Sequence, residues 1–166
     1  FEVRTELASD EKRRLGKVTA ELIQPGETVL LDGGTTTLEV ARHLAGKSLQ
    51  VVTNSVPIVS VLACAPEIEL LFLGGYLYPK TGVTLGPLTQ AALAGMKVRR
   101  LILSAGGLTP DGLFNSNSLL VDAERRMIES ADEVVLVADR SKFGHSELAW
   151  LCGWEAVDRV VIDRAP

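Results

Sequence analysis

The chain has 166 residues, 46% hydrophobic and 23% charged, with 17 Lys and Arg against 21 Asp and Glu for a formal charge of −4. These proportions exclude a disordered, collagen-like or disulfide-dense polymer, and the length suits one domain, 1–166, that buries about 70% of its unfolded surface. The basic residues are scattered apart from small clusters at Lys12–Arg14, Arg99–Arg100 and Arg125–Arg126. They do not form the electrostatic footprint of a nucleic-acid surface and read as solvated helix or strand ends.

Ser9-Asp10-Glu11 has the form of an N-cap and acidic first turn. Leu15, Val18, Thr19, Leu22 and Ile23 then share one helical face, and Pro25-Gly26 ends the helix. Next comes "TVLLD", Thr28–Asp32, a short unbroken apolar run of the kind found in strands covered on both faces. Leu49–Thr53, Ile68–Leu73, Leu101–Ala105 and Val134–Asp139 repeat the pattern, and "RVVID" near the end supplies a sixth run. The intervals are mostly helical, which predicts an α/β fold. Its sheet is mostly parallel, of about six strands, with helices on both faces and right-handed crossovers, Rossmann-like. Gly74–Pro87 breaks the alternation with glycines and a proline and is expected to be a small hairpin excursion.

In an open parallel sheet the ligand crevice lies beyond the carboxyl ends of the strands. The five segments that follow the first five runs are "DGGTTT", "NS", "GG", "GGLTPDG" and "DRSKFG", all polar or glycine-rich. Gly33 and Gly34 allow backbone N–H groups close to an anion, and Thr35, Thr36 and Thr37 stand where a helix begins, beside unpaired amides and the positive end of its dipole. A phosphate or carboxylate suits that loop; the alternative is a tight turn with one threonine as the N-cap. Neither a Walker A loop nor GxGxxG spacing is present, which argues against a nucleotide.

Asn54 has two readings, a bond to a ligand hydroxyl or a cap for the helix near Val56. Gly74-Gly75 is either a close-approach site or the start of the hairpin. Lys142 suits an anion partner pointing into the crevice, or a solvated loop. Glu124 lies on the helix "SLLVDAERRMIESA", at the crevice edge or on the surface. His43 and His145 lack a nucleophile or acid at triad spacing, and Trp150 and Trp154 read as packing residues or a subunit contact. Cys64 and Cys152 have no metal-ligand spacing and are expected to be buried in a reducing compartment. No metal or cofactor is expected. The sequence has neither a signal peptide nor an apolar stretch of about 18 residues, so a cytoplasmic protein without membrane contact is expected. Phe1 in place of Met is expected to mark a piece of a longer chain.

The ordered motifs "EKRRLGKVTAELIQPGETVLLDGGTTT", "VVTNS", "LFLGG" with "TLGP", "AGGLTPDG" and "AERRMIESADEVVLVADRSKFG" run from Glu11 to Gly144. In this order they resemble the C-terminal effector domain of DeoR-type transcriptional regulators, a sugar-isomerase and CoA-transferase-like α/β fold. The resemblance implies a sensor for a phosphorylated sugar or related metabolite, homo-oligomeric, that meets DNA only through an N-terminal winged helix-turn-helix not contained in this sequence. It places Gly34, Thr35 and Thr36 at the phosphate, and Asn54, Gly75, Gly106, Glu124 and Lys142 around the rest of the ligand. Asp32 and Asp139 end strands at the crevice and orient loops or bond hydroxyls. Two departures stand out: Arg99 or Arg100 where the family often has an aspartate, expected to alter packing, and Tyr78 near a position that often carries a basic residue. The alternative function is an enzyme of the same fold, an isomerase or CoA-transferase relative, with Glu124 or Asp139 as base.

Overall fold

A computed structural model describes the backbone of residues 2–163 and the side chains of residues 9–163. In chain order it runs α1 (Glu2–Leu22), β1 (Thr28–Leu31), α2 (Thr35–Arg42), β2 (Leu49–Thr53), α3 (Val56–Leu62) and β3 (Ile68–Phe72). A hairpin of β4 (Tyr76–Tyr78) and β5 (Val83–Leu85) leads to α4 (Pro87–Ala94) and β6 (Val98–Leu103). Then come β7 (Gly107–Thr109), β8 (Gly112–Asn115), α5 (Ser118–Ser130), β9 (Ala131–Ala138), β10 (Ala149–Cys152) and β11 (Arg159–Ile162).

The six predicted runs form one all-parallel sheet in the order β11-β9-β6-β1-β2-β3. From β1 the chain winds outward through β2 to β3, then returns to the other side of β1 and winds through β6 and β9 to β11. With right-handed crossovers, that reversal puts helices on opposite faces. Leu15, Ile23, Val40, Leu44, Ile58 and Leu62 of α1 to α3 and the segments that end them pack on Val29, Leu31, Val51, Ile102, Val135 and Val137. On the other face Leu93, Val121 and Met127 of α4 and α5 meet Leu30, Leu101, Leu103, Val134 and Leu136. Alternation along each strand divides its residues between the two cores.

The hairpin forms where the glycine-rich excursion was expected, β4 and β5 pairing antiparallel. The sequence reading omitted a second, three-stranded antiparallel sheet, β10-β8-β7. Its turn is the "TPDG" of the fourth strand-end segment, and both tryptophans fasten it: Trp150 Nε1 donates to Asp111 O at 3.1 Å and Trp154 Nε1 to Thr109 O at 2.7 Å. The Arg125 guanidinium lies 5.7 Å from the Trp150 ring centroid.

Several expectations need correction. Ser9 is not an N-cap, because α1 already runs from Glu2 through good helix formers. Val18 is half exposed, since α1 lays only one stripe, with Leu15, Thr19 and Ile23 in it, on the sheet. Cys64 is exposed beyond the end of α3, whereas Cys152 is buried, and that burial pushes its thiol up to about 11.

Arg100 is not a solvated strand end. It starts the middle of the sheet, only 9% exposed, with Nε 2.8 Å from Glu27 Oε2 and a second bond to Glu133. Burial pushes the Glu27 carboxyl up, but bonds from Arg100 and the Gln24 backbone outweigh it, and the carboxyl ends below its ordinary value of 4.5. Arg100→Ala strands two shielded carboxylates and is expected to cost about 2–4 kcal/mol at pH 7. Glu27's contribution is present above pH 4.5 and lost as pH falls through its lowered folded value. Urea unfolding of both proteins at pH 7 and pH 3 should therefore show the difference shrinking in acid.

Candidate functional site

At the point where the winding reverses, the carboxyl ends of β1 and β6 diverge and leave a crevice of about 250 Å3. Asp32, one residue past β1, holds its floor at 1% exposure. Its Oδ1 accepts the Gly33 N–H at 2.9 Å, and its Oδ2 accepts the Ser104 N–H, just past β6, at 3.1 Å. Ser104 Oγ lies 2.7 Å from Gly33 O and 3.1 Å from Asp32 Oδ2, one of which takes its proton.

Glu124 reaches the same floor from α5 and is neither at the crevice edge nor on the surface, being 1% exposed. Asn115 Nδ2 at the end of β8 donates to its Oε1 at 2.6 Å, while Asn115 Oδ1 accepts the Gly106 N–H at 2.7 Å. Burial, then the charge of Asp32, push the Glu124 carboxyl well above its ordinary value of 4.5, and Asp32 is raised too, chiefly by burial. Of the two, Glu124 is pushed further toward its protonated form, beside the Asp32 carboxyl. The crevice floor is thus a carboxylic acid beside a carboxylate, offering donors and acceptors to hydroxyl groups.

Above the floor stands the first turn of α2. Its N-cap is Gly34, with φ at 123°, a backbone conformation that side chains rarely adopt, so no threonine serves as the cap. Thr37 turns inward, Oγ1 donating to Gly34 O at 3.0 Å. Helices α3 and α5 have their first amides capped by Ser55 and Asn117, whereas α2 has no side-chain cap where it meets the crevice. Backbone N–H groups and the dipole are left to an anion. Lys142 lines the crevice from the turn after β9, held by Asp139, whose Oδ1 accepts the Ser141 N–H at 2.8 Å.

Of the expected residues, the structure brings together Asp32, Gly33, Gly34, Thr35, Thr36, Gly106, Glu124 and Lys142. Thr37, Asn54, Gly75 and Asp139 stand outside the lining. Asn54 neither caps α3 nor faces the crevice: fully buried, its Nδ2 donates to Thr84 O at 2.9 Å and ties β2 to the hairpin. Gly75 packs so closely on Thr89 of α4 that an added Cβ would lie 2.2 Å from its Oγ1. Ser104, Asn115 and Glu147 were missed. Ser104 carried a weak signal, its place at the end of the fourth run; Asn115 and Glu147 arrive on the small sheet and the loop after β9, which the sequence pattern did not show. Glu147 lies against Gly106, where a Cβ would be 1.7 Å from Oε1.

A larger groove of about 600 Å3 lies at the opposite end of the strands, over bare sheet at Gln50, Val52, Glu69 and Leu71. It has no convergent buried ionisable groups, so the strand-end crevice is the candidate site. Among the described residues no group of three or more His, Cys, Asp or Glu is placed to hold a metal, and no helix is long and apolar enough to cross a membrane.

An open parallel sheet that reverses its winding beside an uncapped helix start and a buried acid pair defines a doubly wound α/β domain. The chain belongs to the family of the DeoR C-terminal sensor domain, whose model matches residues 7–164. It is similar to the HTH-type transcriptional repressor GlcR of Bacillus subtilis, 29% identical over 163 residues, covering 98% of this chain and 63% of that protein. It is also similar to the HTH-type transcriptional regulator UlaR of Salmonella arizonae, 31% identical over 136 residues, 81% of this chain and 53% of that one. The chain therefore spans between half and two-thirds of these relatives. Among solved structures, ribose 5-phosphate isomerase A of Methanocaldococcus jannaschii matches with TM-score 0.58 and 18% identity over 81% of this chain and 54% of that one. The eIF2B delta subunit of Chaetomium thermophilum matches with TM-score 0.64 and 15% identity over 94% and 56%. Those likenesses establish the fold.

A protonated, buried Glu124 makes the fold more costly as pH rises from 4.5 toward its raised folded value, because the unfolded glutamate ionises first. Glu124→Gln keeps an acceptor for Asn115 and a donor for Asp32 without that cost. Thermal denaturation from pH 4.5 to 8 is expected to show the variant gaining on wild type by up to about 1.4 kcal/mol per pH unit.

Proposed function

We propose that this chain is the effector-sensing part of a transcriptional regulator, a repressor of carbohydrate metabolism, and that the strand-end crevice binds a compact phosphorylated sugar or related metabolite. The observation that carries the reading is the pairing, in one small crevice, of an uncapped helix start with a buried acid and carboxylate. The first suits a phosphate and the second a set of hydroxyls. Lys142 adds a positive charge to the lining. The names of GlcR and UlaR support a regulatory role over turnover.

With 17 basic against 21 acidic residues, this part of the protein is a poor polyanion binder, and DNA contact belongs to an N-terminal helix-turn-helix outside this chain. Regulators that read paired half-sites are symmetric, so the sensor works as a homo-oligomer. A coupling of about 1–3 kcal/mol between effector and DNA would suffice for a switch.

Ribose 5-phosphate or glucose 6-phosphate is expected to raise the thermal midpoint of the chain, by about 2.7 kcal/mol of stability at a hundredfold excess over Kd. Ribose and glucose are expected to leave it unchanged, and Lys142→Ala to weaken the phosphate response. Equal stabilisation by the sugars and their phosphates overturns the reading, as does interconversion of either phosphate by the purified chain.

A further inference from the structure

The six-stranded sheet ends at β3, whose outer side faces no other strand among the described residues. In and beside β3 the odd-numbered residues turn their backbone groups inward to β2: Leu73 N–H donates to Thr53 O at 2.8 Å, and Glu67 O accepts the Leu49 N–H at 3.4 Å. Leu70 and Phe72 therefore turn theirs outward. Proteins blunt such edges with Lys, Pro or a bulge. The strand "IELLF" has neither residue, and its pairing with β2 runs without a register shift. The other edge strand, β11, opens on Arg159 and lies against α1.

The side chains along that edge are apolar and open. Leu71 is 46% exposed and Phe72 43%, and the hairpin that follows exposes Tyr76 by 67% and Leu77 by 51%. Glu69 and Leu71 also border the groove of about 600 Å3 over bare sheet. An exposed apolar surface that runs on from an unblunted strand edge marks a protein contact.

We infer that β3 is the subunit contact: a second copy of this chain pairs with it antiparallel about a two-fold axis at Leu71, continuing the sheet from one protomer into the next. The inference rests on the homo-oligomer reading of the sensor. Antiparallel pairing about a two-fold axis gives both copies the same bonds. The register follows from the groups that are free. Pairing Leu70 with Phe72 of the copy, twice over, satisfies the outward groups of both residues. It also leaves alone the Ile68 N–H, which already donates to Ala65 O at 3.2 Å. Leu71 then faces its own copy as a non-hydrogen-bonded pair, where side chains come closest. Glu69, the only charge in the strand, stands opposite Leu73 of the copy and roughly 13 Å along the strand from the other Glu69, so like charges do not meet. A stable interface takes about 800 Å2 from each partner, more than five residues of strand supply, and Tyr76 and Leu77 extend it. The hairpin that carries them lines the crevice through Thr81 and Val83, so subunit contact and effector site share one element.

The test is analytical ultracentrifugation of the 166-residue chain, with variants at two exposed positions of β3. Wild type is expected to associate. Leu71→Lys, which puts two ammonium groups on the axis, is expected to weaken association at least about tenfold while keeping a cooperative thermal transition. Cross-linking gives a second readout, in a Cys64→Ser background that removes the exposed thiol. There Leu71→Cys is expected to form a disulfide-linked dimer under mild oxidation, because non-hydrogen-bonded partners stand about 4.5 Å apart at Cα. Glu69→Cys, far from its copy, is expected to stay unlinked. Association that Leu71→Lys leaves intact, or a disulfide in Glu69→Cys and none in Leu71→Cys, overturns the β3 contact and leaves the oligomer reading standing. A wild-type chain that is monomeric at about 0.1 mM overturns both.

Discussion

The Asp32 carboxylate, buried where β1 and β6 part, is the interaction on which the site depends. A parallel sheet that reverses its winding has to open between the two central strands, and the carbonyl and amide groups at that opening lose their ladder partners. Asp32 closes the gap by accepting the Gly33 N–H on its own strand end and the Ser104 N–H on the other. It thereby fixes the glycine turn that starts α2 and so the aim of the helix. Its charge also adds to the burial that pushes the Glu124 carboxyl up. One side chain sets the loop geometry and the protonation of the crevice floor together.

The opposite end of the sheet is built on the same physics with the opposite outcome. There Arg100 lies between Glu27 and Glu133, all of them shielded, and every charge has a partner. That cluster is closed and structural. At the crevice end burial raises both carboxyls, α2 starts without a side-chain cap, and the lysines come from separate elements. A site for a ligand differs from a structural ion cluster in having donors and acceptors still to satisfy.

The positive groups around the α2 start come from distant parts of the chain, Lys142 from the turn after β9 and Lys12 from α1. Sequence reading identified the first because it follows a strand, where α/β sheets place their ligands. It filed the second among solvated basic clusters, since a lysine in a helix has no local mark of its tertiary neighbour. Glu124 shows the same limit: its helical position was legible, but its burial against Asp32 was not. Asn54 shows the converse, a polar strand-end residue with the right local pattern that instead ties β2 to the hairpin through Thr84.

The sequence by itself determined the six parallel strands, the hairpin between residues 74 and 87, the glycine-threonine loop at Asp32–Thr37 and the family to which the ordered motifs belong. Apolar runs, turn residues and helix starts are local, and local periodicity records them. Only the tertiary structure decided the strand order, the small sheet that delivers Asn115, the burial of Glu124 against Asp32 and the reach of Lys12. Each of those depends on groups far apart in the chain, 72 positions between Asp32 and Ser104 and 23 between Lys12 and Thr35. Burial and electrostatic coupling act through space, and nothing in the spacing along the chain encodes them.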